Sequence, residues 1–362
     1  MRRTLSAAAL TLGVTVRIAA GGDGPTAKWE DGRTSLAFDG AEIGVSNRMQ
    51  IRFTETAPEG EDGTGSFRPR RARTLVDGWL HSKTIRFELM VDWVDAPIVE
   101  DLNLNWDASG KRSFQVKVGQ FKVPFGRQEL TSDTALQFVD RSIVSAEFEK
   151  GRDVGVQLWG LAAGEKLEYR AGLFNGNGRG KPSNDDGKLQ YDARVTVHPW
   201  GPAKYSEGDP DATPKPLLSV GANLEGDDTR PRPGAVVAAS SDAVARRVLG
   251  ADVSLKFRGF SVMAEAFDRR LTPVAGPSFK SNGFHVQVGQ FVRPRRLEAA
   301  LRWAQWDPSS LKANDERREL GAGLSYYATP KTLKLQADYR RLRDAARGRT
   351  DGEARVQVQF IF

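Results

Sequence analysis

The sequence of 362 residues predicts an all-β fold, a transmembrane antiparallel up-and-down β-barrel of about sixteen strands with a long third loop folded inward. Three observations predict it. Apolar and polar residues alternate with a period of two over most of the chain, and short turns alternate with long polar loops. The chain also ends on an alternating segment, ARVQVQFIF, whose last residue is Phe362.

The N-terminal segment is set apart from this pattern. MRR is basic, TLSAAALTLGVTV is apolar, and RIAAGG offers small residues for cleavage, which is the layout of a secretory signal peptide. A buried N-terminal helix is the alternative. We therefore assign residues 1–21 to a signal peptide and 22–41 to a lead-in with room for a first strand segment. Residues 42–362 form the predicted barrel.

The alternation gives each strand two different faces. In EIGVSNRMQIRFTE, Ile43 and Ile51 share one face while Arg48 and Arg52 share the other. Side chains of a strand point alternately to its two sides, so one face would meet lipid and the other a water-filled lumen. The predicted strands span 42–54, 68–78, 82–93, 98–107, 112–121, 152–159, 166–174, 188–198, 216–225, 248–257, 259–268, 282–292, 295–306, 317–327, 331–342 and 352–362.

The connections favour a barrel over a soluble sandwich. FRGF, VRPR and YATPK are tight turns, and they alternate with long stretches such as 226–247 and 307–316. A secreted soluble β-protein that binds glycans is the alternative, but its turn lengths have no reason to alternate. Two connections break the rule: 94–97 is short where a loop is expected, and 199–216 is long where a turn is expected.

Composition narrows the function classes. Hydrophobic residues make up 39% of the chain and charged residues 27%, and no apolar stretch in the mature chain is long enough for a spanning helix. Cysteine is absent, and His81, His198 and His285 lie far apart without the spacing of metal ligands. No nucleophile motif is present. We predict neither an enzyme nor a cofactor, and the formal charge of +7 favours anionic partners in general terms.

The final strand explains why the chain ends on a phenylalanine. Val356, Val358 and Phe360 would face lipid, and Phe362 would lie at the membrane interface. An alternating last strand that ends in phenylalanine resembles the signal that bacterial outer-membrane barrels present to the barrel assembly machinery. We therefore expect an outer-membrane location, with lipid and that machinery as partners.

The longest insertion, at about 122–151, carries a family resemblance. The stretch VGQFKVPFGRQELTSDTALQFVDRSIVSAEFEKGRDVGVQLWG resembles the phosphate-selective porin family (porins O and P). The matching elements are Gly119-Gln120-Phe121-Lys122, Pro124-Phe125, Glu129, Thr131-Ser132, Asp140-Arg141-Ser142 and Arg152-Asp153-x-Gly155. The resemblance implies a homotrimeric outer-membrane channel whose third loop narrows the pore. It also implies basic residues that attract small anions such as phosphate or polyphosphate.

The residues themselves support a constriction. The insertion contains many large apolar side chains and is therefore too apolar to extend into solvent, and loops of this length are usually functional. The candidate anion pathway comprises Arg48, Arg52, Arg86, Lys122, Arg127, Arg141 and Arg152. Acidic residues balance the basic ones within 122–152, so we expect only a moderate anion preference, with a general, weakly selective porin as the alternative. The run RPRRAR (68–73) is predicted to line the pore mouth.

Overall fold

The computed structural model describes residues 25–181, 183–228, 243–273, 276–329 and 331–362. The predicted signal peptide, 1–21, lies outside the described residues. The strands are β1 (Thr26–Glu30), β2 (Arg33–Phe38), β3 (Ala41–Ala57), β4 (Thr64–Leu80), β5 (Ser82–Asp92), β6 (Ile98–Asp107), β7 (Gln115–Lys122), β8 (Arg152–Ala162), β9 (Leu167–Phe174), β10 (Gln190–Val197), β11 (Leu217–Asp228), β12 (Ala243–Phe257), β13 (Phe260–Pro273), β14 (Phe279–Arg293), β15 (Leu297–Asp307), β16 (Arg317–Thr329), β17 (Leu333–Asp344) and β18 (Arg349–Ile361).

Strands β3 to β18 form a closed antiparallel barrel. Each pairs with its neighbour in chain order, and β18 returns to β3 with a register that runs from Gly352 opposite Ala57 to Ile361 opposite Arg48. These sixteen strands correspond one to one with the predicted set, so the predicted fold class is confirmed. A closed barrel is also a different architecture from the sandwich that was the alternative. None of the described helices is long and apolar enough to cross a membrane.

The two faces of the wall have opposite chemistry. On β3, the outward Ile51 is 46% exposed, whereas the inward Gln50 and Arg52 are 1% and 6% exposed. The same inversion recurs on β6, where Leu102 is 57% exposed and Asn103 is 6% exposed. A wall with apolar side chains outside and packed polar side chains inside suits a lipid environment around a polar lumen.

An N-terminal hairpin extends the closing seam. Strand β1 pairs with β2, and β2 pairs with the first residues of β3, from Ala41 to Ser46. Strand β18 occupies the rest of that edge, and between the two partners Asn47 and Phe362 exchange backbone hydrogen bonds of 2.6 and 3.0 Å. The lead-in predicted at 22–41 thus contains a complete hairpin from Thr26 onward.

The turn of this hairpin approaches the last strand closely. Gly32 has a φ of +80°, and a Cβ at this position would lie 2.7 Å from the carbonyl oxygen of Ile361. Glycine is therefore suited to this position, because it adopts the left-handed backbone conformation and has no Cβ to collide with the carbonyl of Ile361.

The apolar core of the molecule lies inside the barrel. The third loop, here called L3 (residues 123–151), contains α1 (Arg127–Leu130), a 3₁₀ turn (Asp133–Ala135) and α2 (Ile143–Phe148). Its Phe125 and Phe148 are fully buried and stack on Phe267 of β13, with ring centroids 5.6 and 5.3 Å apart. Loop L3 is folded inward, as predicted, and its apolar side chains pack against one side of the wall.

Candidate functional site

Wall carboxylates on one side of the barrel hold the backbone of L3. Glu265 accepts hydrogen bonds from the backbone N–H groups of Arg127 and Gln128. Asp338 accepts one from Val139 and Glu319 one from Ile143, both at 2.9 Å. Backbone donors that no helix or strand satisfies thus find charged acceptors, which are stronger than neutral ones. The loop is thereby fixed against strands β13 to β17.

Arginines of the opposite wall hold the facing edge of L3. Asp133 contacts the guanidinium groups of Arg71 at 2.9 Å, Arg73 at 2.8 Å and Arg48 at 3.8 Å. Burial alone would raise the pKa of Asp133, but the positive charges of these arginines outweigh it and hold the pKa well below its ordinary value. Asp133 therefore stays ionised and ties the loop to β3 and β4.

A second pair anchors the middle of the loop. Asp140 lies 2.6 Å from Arg52. Burial would raise the pKa of Asp140, but the hydrogen bond from Arg52 and the charges of Arg52, Arg70 and Arg355 hold it below its ordinary value. The carbonyl of Asp140 accepts a hydrogen bond from Arg302, whose guanidinium lies 4.0 Å from the ring centroid of Phe138. Loop L3 thus crosses the lumen from wall to wall.

A segment from the opposite end of the barrel also enters the lumen. The connection between β10 and β11, here called T4 (residues 198–216), is the long exception noted in the sequence. Its Glu207 is 1% exposed and accepts hydrogen bonds from the Gln128 side chain at 2.6 Å and the Gln137 backbone at 2.7 Å. Its Tyr205 donates to Glu168 at 2.7 Å, and the guanidinium of Arg127 lies 4.9 Å from the Tyr205 ring centroid. T4 therefore packs beneath L3 and fills the same half of the barrel.

A cavity of ≈ 290 Å³ lies between L3 and the wall formed by β3 to β9. Its lining contains eight cationic side chains and three acidic ones. The cations are Arg48, Arg71, Arg73, Lys117, Lys122, Arg141, Arg152 and Arg170, and the acids are Glu88, Asp101 and Asp133. We call this space the constriction.

Several acidic partners of these cations lie behind the lining. Arg73 contacts Glu100 at 2.6 Å and Arg152 contacts Glu100 at 3.2 Å, but the Glu100 side chain is completely buried and does not line the constriction. Arg141 likewise contacts Glu129 at 3.0 Å. The guanidinium groups are thus held in fixed positions by carboxylates behind the lining and by Asp101 and Asp133 within it. The lining itself carries more cationic than acidic side chains.

Helix α1 is held at its carbonyl end by two of the lining cations. Arg141 donates to the carbonyl oxygens of Gln128 and Thr131, both at 3.0 Å, and Lys122 donates to Thr131 at 3.0 Å. Cations are favoured where the last carbonyls of a helix lack partners. These two residues therefore both line the constriction and shape the loop that forms it.

The constriction continues toward the turn end of the barrel into a larger cavity of ≈ 950 Å³, here called the vestibule. Glu88 and Lys117 line both spaces. The vestibule lining is nearly balanced in charge and includes Arg86. The excess of cations is thus larger in the constriction than in the vestibule. Within the described ranges, no group of three or more His, Cys, Asp or Glu side chains is placed to hold a metal ion.

The structure separates the predicted site residues into three sets. Arg48, Lys122, Arg141 and Arg152 come together on the constriction, and Arg86 lies on the vestibule. Arg52 and Arg127 line neither space and are 6% and 1% exposed. Arg127 pairs with Asp252 at 2.7 Å beneath Tyr205.

Four lining cations were not among the candidates: Arg71, Arg73, Lys117 and Arg170. Arg71 and Arg73 belong to RPRRAR, which was predicted at the pore mouth. Strand β4 begins at Thr64, earlier than predicted, so these two residues lie deeper in the wall. Lys117 and Arg170 occupy inward positions of alternating strands, and that alternation is the signal that could have identified them.

Comparisons with known proteins agree with this architecture. Residues 43–362 match the family model described as phosphate-selective porin O and P. No curated protein matches the sequence. Among solved structures, the anion-selective porin from Comamonas acidovorans is similar, with a TM-score of 0.62 and 12% identity over 89% of this chain and 100% of that one.

Two further solved structures share the fold. The outer-membrane channel DcaP of Acinetobacter baumannii gives a TM-score of 0.60 at 13% identity, over 90% of this chain and 99% of that one. OmpT of Vibrio cholerae, in a structure described as its trimer form, gives 0.58 at 12% identity, over 90% and 100%. The closed barrel with its inward loop and the family match lead to one conclusion: the chain belongs to the phosphate-selective porin O and P family and is a porin of the bacterial outer membrane.

Proposed function

We propose that this porin conducts small anions, with phosphate and polyphosphate as candidate solutes, through the constriction. The observation that carries the proposal is the lining of eight cationic and three acidic side chains at the narrow part of the lumen. Of the candidates from the sequence, we assign Arg48, Lys122, Arg141 and Arg152 to the anion pathway. We assign Arg52 and Arg127 to ion pairs that hold L3 in place, and Arg86 to the lining of the vestibule.

The physical basis of anion conduction is that cationic side chains replace part of the water shell of the anion. An anion in the constriction loses part of its water shell and gains charge-assisted contacts with guanidinium and ammonium groups. Conduction also requires release, so no contact can be too strong. The carboxylates Glu100 and Glu129, which lie behind the lining, limit how strongly an anion binds in the constriction, because each already neutralises part of an arginine charge. The expected result is a moderate anion preference.

Reversal potentials under a salt gradient test this proposal. The double variant Arg48→Gln/Arg141→Gln should shift selectivity toward cations at low salt, and the shift should shrink as salt screens the charges. Lys83→Gln/Arg112→Gln removes the same charge from the vestibule and should shift it far less. Equal shifts in the two variants would assign selectivity to the overall charge of the pore, as in a general, weakly selective porin.

We further propose that the chain acts as a passive channel without catalytic activity and assembles as a homotrimer. The family match supports the first statement, and the trimeric form of the similar Vibrio cholerae protein supports the second. Native mass spectrometry of the detergent-solubilised protein gives the number of copies directly. A monomeric mass across all detergents tested would reject the trimer.

Assembly by the barrel assembly machinery is proposed through the C-terminal strand. Phe362 is 45% exposed and stacks on Phe360, with ring centroids 5.1 Å apart. Replacing Phe362 with Asp should lower the amount of barrel in the outer membrane. The amount is measured by the different mobility of unboiled and boiled samples in SDS. Normal levels of the heat-modifiable form would contradict this role.

A further inference from the structure

A cluster of arginines occupies outward positions of two neighbouring strands at the loop end of the barrel. Arg318 of β16 and Arg343 of β17 are direct cross-strand partners, and Arg341 lies opposite Leu320 one step closer to the membrane centre. These positions share the outward face with Leu320 and Tyr339, which are 51% and 50% exposed. The three arginines, here called the outer arginine patch, thus lie where the apolar belt ends at the loop end of the barrel.

The patch lacks acidic partners within the chain. Among the described residues, none forms a hydrogen bond or an ion pair with Arg318, Arg341 or Arg343. Two other outward cations near the same end have acidic partners. Arg247 pairs with Asp228 at 2.7 Å, and Lys280 lies 3.9 Å from Asp268. Arg270 also lacks an acidic partner among the described residues, but its cross-strand neighbour Lys280 has one, so it forms no unpaired cluster.

Such an arrangement costs stability unless an anion is supplied from outside. Like charges directly opposite on neighbouring strands repel, because their Cβ atoms are only about 5 Å apart. A guanidinium at the edge of hydrocarbon gains most from a phosphate, which it can bind with two parallel hydrogen bonds. Phosphorylated lipid headgroups lie at this height, and clusters of arginine or lysine beside the membrane bind them.

We propose that Arg318, Arg341 and Arg343 form a binding site for the phosphate group of a phosphorylated lipid in the outer leaflet. Arg318 and Arg343 would hold the phosphate between them, and Arg341 would contact it from below. The lipid chains would pack on the exposed Leu320 and Tyr339. The site is separate from the constriction, because none of the three arginines lines that space.

Native mass spectrometry of the full-length protein tests the proposal, with diphosphorylated lipid A as the probe. The wild type should retain bound lipid A, and Arg318→Gln/Arg341→Gln/Arg343→Gln should bind it about tenfold more weakly. Lys280→Gln removes a rim cation that has an acidic partner and should leave binding unchanged. Lipid A without its phosphates should bind wild type and triple variant alike, and free inorganic phosphate should not replace the lipid.

Two results would overturn the proposal. One is equal binding of lipid A by the wild type and the triple variant. The other is loss of the oligomer in the triple variant without any lipid bound to the wild type, which would assign the patch to contacts between copies of the chain. If the triple variant fails to form a heat-modifiable barrel, the single variant Arg343→Gln is used. It should weaken binding severalfold and flatten the salt dependence of binding.

Discussion

The carboxylate of Glu207 accepts a hydrogen bond from the backbone N–H of Gln137 at 2.7 Å. This contact joins T4, which enters the lumen from the turn end, to L3, which enters from the loop end. The backbone N–H of Glu207 returns a bond to the carbonyl of Ala135 at 3.2 Å. The narrow part of the pore is thus shaped by a junction between two segments that start on opposite sides of the membrane.

Replacing Glu207 with glutamine should loosen that junction. The carboxylate accepts bonds from Gln128, Gln137 and Gln287 at 2.6 to 2.7 Å, and an amide offers only one oxygen to these donors. Each lost bond to a buried charged group costs about 1.5–3 kcal/mol. We expect a larger and noisier single-channel conductance in planar bilayers. Asp211→Asn changes an exposed acid of the same segment and should not alter conductance; identical traces for both variants would contradict the role of Glu207.

Asp133→Asn should make the pore more anion-selective. The substitution removes one of the three acids of the constriction lining and frees Arg48, Arg71 and Arg73 from their shared partner. Reversal potentials in a KCl gradient measure the effect. In the wild type the depressed pKa of Asp133 keeps the carboxylate ionised, so its charge should persist when the pH falls from 7 to 4. A cation-directed shift in the variant would mean that loss of loop geometry outweighs loss of charge.

Glu149→Gln should stabilise the barrel at neutral and basic pH. Burial first, then the charges of Glu265 and Glu129, raise the pKa of Glu149 well above its ordinary value. The unfolded chain releases this proton above about pH 4.5 while the folded chain keeps it, so the wild type loses stability as the pH rises. Glutamine has no proton to lose. The temperature at which the unboiled form disappears in SDS should therefore rise at pH 8 and change little at pH 4. A gain that is the same at both values would point to packing instead.

The register of β5 assigns opposite outcomes to adjacent residues. Leu89 lies opposite Val76 and Leu102 on the outward face, whereas Glu88 lines the constriction and the vestibule. Leu89→Arg should cost about 2–4 kcal/mol if it lies near the midplane of the bilayer. Glu88→Gln should leave folding intact and shift selectivity toward anions. Refolding yield into detergent, followed by urea titration, compares the two; equal loss of stability would show that the register is wrong.

The sequence predicted what depends on local alternation and failed where distant segments meet. Gln50 and Ile51 fall on the predicted faces, because a strand with one face in lipid tolerates no shift of one residue. Arg71, Arg73 and Asp133 meet across the lumen, and no pattern in the sequence states how far a loop reaches into a barrel. The length of 199–216 marked T4 as unusual without indicating that it folds inward. The lead-in at 22–41 was predicted with room for one strand segment, whereas the structure has the two strands β1 and β2 there.

The seam between β3 and β18 has a consequence for the order of assembly. Ten residue pairs cross it, from Gly352 and Ala57 to Ile361 and Arg48, and none of these bonds exists until the two outermost barrel strands meet. In hydrocarbon an open row of N–H and C=O groups has no water to satisfy it. A half-closed cylinder would therefore be more costly in the bilayer than either the unfolded chain in water or the closed ring. We therefore expect insertion and closure to be coupled. The N-terminal hairpin pairs with the first residues of β3, on the same edge that β18 occupies.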